Sequence, residues 1–572
     1  MSKIYLIIVC FGLIPAVLAQ KQKSQINGSA RTYIFSNNLD IDDDIDTITT
    51  RKANYGHSLL DFGVSAFPNK NTEIIGMFRI RNELGGFWGG GVSFNVRQLT
   101  LKGVAGDIVR YELGDIDIKQ TPYTVWNFGE EGNINEADIF ASRRQVVHYD
   151  MFYNDSSNAW RMQGAQAKFG LNFNKGIKAI NFHGFMTRQK TTDGLTTPER
   201  MFGGGKIGIE ASENLSILFN SANIFDLTET IADSLQFKNS VHTASLEYKN
   251  DLKDSLEFGF NSEMGLSSTN YINYQDTRAP ESLSDWFIDA NIYTNLKNKG
   301  VIVKLGYKDV GADFRSPSAQ TKRIDYSKFP RVYKQFTNNS LGRVLSYADF
   351  ISGNTDNSFK ISEELLPYYA AYNNTNPYGA ATPNRRGIYL NLARKDSIGF
   401  KTSFIKVAGL TESVGTGTLQ KKIFLLTEAG TDLYLNDLFK WNRLLKLDLG
   451  MRYENTTRTG KEYENIQLAS TFIDLGLSWE IAEKLDILAG AKLWSVSGNA
   501  FINERNLFNS IDDFDIVDLN FTENVLAAGL QYRFSEKNIF SLHYQQFNIN
   551  HADDAVIDYG MSQFTILYNL FF

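Results

Sequence analysis

The stretch KLDLGMRYEN, residues 446–455, alternates Lys446, Asp448, Arg452 and Glu454 with Leu447, Leu449, Met451 and Tyr453. Period two is the mark of a strand with one apolar face and one charged face. In a soluble sheet the apolar face would lie on a core. In a membrane barrel it would meet lipid, and the charged face would line a lumen.

The two ends of the chain decide between these. The N-terminus, MSKIYLIIVCFGLIPAVLAQ, has a positive Lys3, an apolar run from Ile4 to Val17, and small residues ending at Ala19 before Gln20. That is the pattern of a secretory signal peptide, too short for a spanning helix. It predicts a cleaved segment 1–19 and a single exported domain, 20–572. Cys10, the only cysteine, lies inside the apolar run behind bulky Val9, which does not suit lipidation. The exported chain then has no disulfide framework, thiol nucleophile or thiolate metal site.

The other end reads SQFTILYNLFF, with Phe564, Ile566, Tyr568, Leu570 and Phe572 on one face and Gln563, Thr565 and Asn569 on the other. An alternating last strand with a terminal aromatic resembles the closing strand of bacterial outer-membrane barrels. Composition fits: 13% of residues are aromatic, yet mean hydropathy is only -0.27, because lipid-facing and lumen-facing residues average out along each strand. After the signal no apolar run approaches the roughly 18 residues of a spanning helix. The net charge of -6 is too mild, and of the wrong sign, for a nucleic-acid partner.

Alternating runs recur throughout. Leu256, Phe258 and Phe260 oppose Glu257 and Asn261; Val301, Val303, Leu305 and Tyr307 oppose Lys304 and Lys308. Ile473 to Trp479 and Leu526 to Phe534 repeat the pattern. Between runs, short connections such as 67–71, 173–178, 249–254, 295–300, 479–484 and 534–538 alternate with longer ones at 36–54, 120–158, 268–284, 318–386 and 498–519. Short periplasmic turns alternating with long outer loops predict a closed antiparallel transmembrane β-barrel of about 22 strands, between about 20 and 24. The first strand is expected over Gln25 to Phe35. An even count puts both termini in the periplasm of a Gram-negative bacterium.

The expected lumen face mixes signs: Glu428, Asp432, Lys446, Asp448, Arg452, Glu454, Asp474 and Lys492, with Gln531 and Arg533 on a later strand. Interleaved charges favour a cross-strand network over an ion-selective ring. A barrel this wide needs something to narrow it. The first strand begins almost at the cleavage site, which leaves no room for the N-terminal plug domain of TonB-dependent transporters. That leaves the two longest loops. Both are rich in aromatics, and 318–386 opens with Lys322, Arg323, Lys328, Arg331 and Lys334 around Tyr326, Phe329, Tyr333 and Phe336. Each is either a cap on the outer surface or an inserted constriction that contacts a solute.

LDIDDDIDT (39–47) gathers Asp40, Asp42, Asp44 and Asp46, and two further acidic stretches fall at 511–518 and 551–558. Barrel closure would bring the three together as a solvated rim, or as a calcium site bridging to lipopolysaccharide phosphates. The fit to a calcium loop is loose, since the turn glycine and distal glutamate are missing. No other cofactor is implied.

The six histidines are scattered, and neither HExxH nor GxSxG occurs. An enzyme is not expected, an outer-membrane hydrolase being the weakest alternative. Two readings lead: a porin-like channel for small solutes narrowed by its loops, and a non-conducting barrel serving a secretion or envelope-assembly complex. The channel is preferred. With its VLAQ signal end and YNLFF terminus, the chain resembles the Asn-, Tyr- and Phe-rich outer-membrane barrels of Bacteroidota. That resemblance is to a class and implies no particular site residues.

Overall fold

The computed structural model describes residues 24–41, 52–84, 92–126, 135–141, 162–195, 197–227, 235–253, 255–273, 281–319, 365, 370–371, 373–397, 399–505, 511–553 and 558–572. The signal segment, Asp42, Asp44 and Asp46, and Lys322, Arg323, Lys328, Arg331 and Lys334 lie outside them, as does most of a helix suggested by SEELLPYYAAY at 362–372.

Strands account for almost all of it. The first eight are β1 (Ser24–Ile41), β2 (Lys52–Asn69), β3 (Thr72–Glu83), β4 (Val92–Ala105), β5 (Val109–Ile116), β6 (Met162–Asn172), β7 (Ala179–Lys190) and β8 (Glu199–Glu210). Then come β9 (Leu215–Leu227), β10 (Leu235–Lys253), β11 (Leu256–Asn273), β12 (Glu281–Leu296), β13 (Val301–Val310), β14 (Arg385–Ser397), β15 (Phe400–Thr411) and β16 (Ile423–Tyr434). The last are β17 (Leu445–Arg458), β18 (Ile466–Ala482), β19 (Leu485–Arg505), β20 (Ile511–Asp518), β21 (Phe521–Ser535), β22 (Asn538–His551) and β23 (Tyr559–Phe571).

Each strand pairs antiparallel with its neighbour in sequence, save that β20 pairs only with β19, and β19 goes on to pair with β21. Removing β20 leaves a ring of 22. The ring closes where β1 runs against β23, from Ser29 opposite Phe571 to Ile41 opposite Tyr559. Gly28 and Phe572 add a reciprocal pair of backbone bonds, both 3.0 Å, at the end of that seam. Closure leaves no sheet edge to satisfy in lipid.

Short turns, such as 70–71, 106–108, 173–178 and 483–484, all lie at the end that carries the ring's first and last residues. The opposite end carries 42–51, 117–161, 191–198 and 311–384. Strands overrun the expected boundaries because continued ladder pairing satisfies backbone groups beyond the bilayer. The first strand is therefore Ser24–Ile41, and the gap before β12 shrinks to 274–280. The expected loop 498–519 is largely a hairpin, with β20 laid on the upper half of β19. Asp512, Asp513, Asp515 and Asp518 thus sit on a strand.

The outer face is apolar. Phe94, Val96, Leu266, Ile388 and Leu526 are each more than half exposed. Trp479, Tyr532, Phe534 and Phe572 form an aromatic girdle near the short-turn end. In β17, Leu449 and Met451 are exposed while Asp448, Arg452 and Glu454 are buried. That combination, greasy outside and charged within, is what lipid demands of a barrel.

One strand stops early. β5 pairs with β4 only over Thr100–Ala105, and the chain leaves the wall at Ile116. The Asp115 carboxylate accepts from the Leu99 amide at 2.7 Å, and the Asp115 carbonyl accepts from the Thr100 hydroxyl at 2.8 Å, finishing the ladder there. The chain therefore turns into the lumen partway up the wall instead of over the rim.

Candidate functional site

The wall made by β16 to β19 carries two inward patterns. One is the charges: Glu428 and Asp432 on β16, Lys446, Asp448, Arg452 and Glu454 on β17, Asp474 on β18, Lys492 on β19. The other is a set of glycines between them, in EAGTD, DLGMR, DLGLS and LAGAK. Gly430 faces Gly450, and Gly476 faces Gly490. With no side chains there, the wall has a shallow trough, and glycine in a strand interior marks close approach of another backbone.

Residues 135–141 of the β5–β6 connection fill that trough. A Cβ on Gly476 would stand 2.5 Å from the Ala137 Cβ, and one on Gly490 would stand 2.7 Å from Ile139 and Phe140 side-chain atoms. The charges flank the trough as sockets. Asn135 donates to Asp432 at 2.9 Å. Lys492 donates to Glu136 at 3.0 Å and to Asp474 at 2.8 Å, with all three side chains at most 2% exposed. Lys446 donates to Asp138 at 2.9 Å, and the Ser478 hydroxyl donates to the same carboxylate at 2.7 Å. Ala137, Ile139 and Phe140 close the gap by packing with Phe472, Leu488 and Trp494. The Lys492 ammonium lies 4.6 Å from the Phe140 ring centre.

The same connection begins on the far side. Gln120 donates to the Gly205 carbonyl of β8 at 2.8 Å. Thr121 donates to Glu263 of β11 at 2.7 Å, and the Tyr123 phenol donates to Asp289 of β12 at 2.7 Å. The Tyr123 ring stacks on Phe287 with centroids 3.9 Å apart. Burial first, and then the Asp289 carboxylate, hold the phenol well above its ordinary pKa, so it stays a donor. β8 and β19 are eleven steps apart whichever way the ring is counted, which makes them opposite walls. Gln120 and Glu136 of one connection are thus held on opposite walls.

The second long connection is woven into the first. Ser316 and Ser318 donate to the carbonyls of Tyr123 and Thr124 at 2.8 and 2.6 Å. Its later part docks higher on β17. The Glu454 carboxylate accepts from the amides of Asn373 and Thr375 at 2.7 and 3.2 Å, and Arg452 donates to the Asn373 side chain at 2.7 Å. Arg452 also pairs with Glu428, which Lys406 reaches at 2.9 Å. The mixed signs of the wall therefore form a cross-strand network that also holds both loops. Among the described residues no carboxylate or ammonium of the trough is left to an ion in transit.

Other sequence candidates fall elsewhere. Gln531 and Arg533 point inward but sit at the short-turn rim, where Arg533 binds Asp486 at 2.8 Å and Glu480 at 3.1 Å. Asp40 is exposed at the end of β1, opposite Gly560 of β23. Among the described residues no three His, Cys, Asp or Glu side chains converge as metal ligands. Sequence reasoning missed Asn135, Glu136, Asp138, Tyr123, Glu263 and Asp289. It also passed over the four glycines, the one signal in the strands that a second backbone lies against them.

No family model and no curated protein matches the chain. Among solved structures it is similar to Pseudomonas aeruginosa OccK11 (OpdR), at 9% identity and TM-score 0.35 over 96% of this chain and 97% of that one. It is also similar to Pseudomonas aeruginosa OccK8 (OprE), at 9% and 0.33 over 96% and 98%, and to the P pilus usher (PapC) translocation pore, at 7% and 0.35 over 96% and 99%. With overlaps this low, what the barrel does has to be read from its own side chains.

Proposed function

We propose that this chain is an outer-membrane channel for small solutes, held shut at rest by its own β5–β6 connection. Both termini lie on the periplasmic side. The observation that carries the reading is where this connection is anchored: it is fixed to β8 through Gln120 and to β19, on the opposite wall, through Glu136. A barrel that served only as a scaffold would have no need of a connection anchored inside its lumen on two opposite walls. The connection's contacts with the wall are hydrogen bonds and ion pairs together with apolar packing of Ile118, Tyr123, Val125, Ala137, Ile139 and Phe140. Such a stopper can let go without the barrel unfolding, since the ladder of the ring owes it nothing.

The test is conductance in planar bilayers, for the intact protein and for one in which residues 127–158 are replaced by a short linker. The proposal expects a nearly silent intact barrel with brief openings, and large steady conductance from the shortened one. Silence from both would favour the second reading, a non-conducting barrel within a secretion or envelope-assembly complex. That reading draws on the completeness with which Lys492, Asp474 and Glu136 are buried.

A further inference from the structure

Below the stopper, towards the short turns, the lumen keeps a cavity of about 920 Å³ on the β4–β8 side. Its wall carries an uncommon row. Arg110 of β5 is register partner to Lys168 of β6, Lys168 to His183 of β7, and His183 to Lys206 of β8. Three cations and a histidine thus stand side by side on four adjacent strands, all lining the same cavity. Like charges directly opposed in a sheet are destabilising.

The nearby carboxylates are engaged elsewhere. Glu112 is held by Gln166 at 2.5 Å, which also meets His183 at 2.9 Å; Asp107 is held by Asn71 at 3.2 Å. Glu73 pairs with Lys102 at 3.0 Å. Asp117 lines the cavity beside Lys119 on the inserted chain. Among the described residues Arg110, Lys168 and Lys206 form no ion pair, whereas Lys446, Lys492, Arg452 and Arg200 all do. What marks this row is the register: three cations side by side, without a carboxylate between them, on the wall of one cavity that has room for an anion.

We infer that this row is a binding site for a small polyanion, a molecule bearing several carboxylate or phosphate groups. At about 4.8 Å per strand, Arg110 to Lys206 spans roughly 14 Å, so the anion is extended and multiply charged. The site faces the periplasmic side of the stopper. It deepens the channel reading by naming the class of cargo, and rests on that reading only for what happens to the anion afterwards. Binding itself needs no open pore.

The test is calorimetric titration of the full-length barrel, in a non-ionic detergent at low ionic strength, with inorganic tripolyphosphate and with citrate. At least one should bind, and the affinity should fall steeply with added salt. Lys168→Gln and Lys206→Gln should each weaken binding about tenfold, the worth of one charge-assisted contact. Lys249→Gln, on β10, should leave affinity unchanged. Because the row is self-repelling, the first two variants should also hold or raise the unfolding midpoint. No binding of either probe to the intact protein would overturn the inference. So would wild-type affinity in both variants, or a lowered midpoint that marked the cations as structural. A barrel that binds the anion yet stays silent in bilayers, with and without the loop, refutes the channel and leaves the site standing.

Discussion

The Lys492 ammonium of β19 stands 3.0 Å from the Glu136 carboxylate of the inserted loop, with neither side chain more than 2% exposed. Lys492 also serves Asp474, so one cation neutralises two buried carboxylates. Removing it strands both. Breaking a buried pair from one side costs about 3–5 kcal/mol. Lys492→Gln is therefore expected to free the loop while the ring persists. Limited proteolysis should then cut within 127–161, with β content by circular dichroism unchanged. Resistance equal to wild type would count against the pairing.

The glycine trough makes a steric prediction. A side chain at Gly476 would meet Ala137 at 2.5 Å from its first carbon, and the loop backbone there cannot yield without losing the Asp138 contacts. Gly476→Val keeps the strand, since valine suits the ladder. It should raise open probability in bilayers more than Gly184→Val does, because a Cβ at Gly184 meets nothing within 4 Å. Equal effects at the two positions would remove the trough from the account.

Alkaline pH should loosen the other anchor. Tyr123 has a docked-state pKa well above 10.0, the value of a free phenol, so undocking releases a proton once the pH passes that value. The docked state is therefore at full stability below about pH 10 and loses it progressively above. Channel openings should become more frequent there. Tyr123→Phe should open more at neutral pH, having lost a bond to a carboxylate worth about 1.5–3 kcal/mol, and should lose the alkaline response. An unchanged pH profile in that variant would assign the response to another group.

Orientation of the wall is tested on β17 itself. Leu449→Arg places a charge on the exposed face and should destabilise the barrel in lipid by about 2–4 kcal/mol if the position is near the midplane. Denaturant titration of barrels folded into vesicles measures it. No loss would mean that this face does not meet hydrocarbon.

The stretch 446–455 shows how much was legible in advance. Its period of two, continued along the chain with short and long connections in alternation, pointed to a closed barrel once the two ends were read with it. The charges of that stretch were legible as lumen-facing, but their partners were not. Lys446 meets Asp138 across 308 residues of sequence, and nothing local to either residue announces the other. The glycines were the available clue. EAGTD, DLGMR and DLGLS each set a glycine two residues from an inward carboxylate, where an empty lumen would have tolerated any small polar side chain. The cationic row escaped notice for a similar reason: Arg110, Lys168 and Lys206 become neighbours only through register.

The account stands most directly on where residues 135–141 lie. The mature chain is expected to lack cysteine, so a pair can be introduced cleanly. Asp138→Cys with Ser478→Cys replaces two side chains whose oxygens are 2.7 Å apart. Asp138→Cys with Leu475→Cys pairs the loop with the lipid-facing side of the same strand. In folded barrels, oxidation or the shortest bis-thiol reagent should link the first pair and not the second. Failure to link the first pair, in barrels that retain their β content, would contradict the inserted loop and the closed channel built on it.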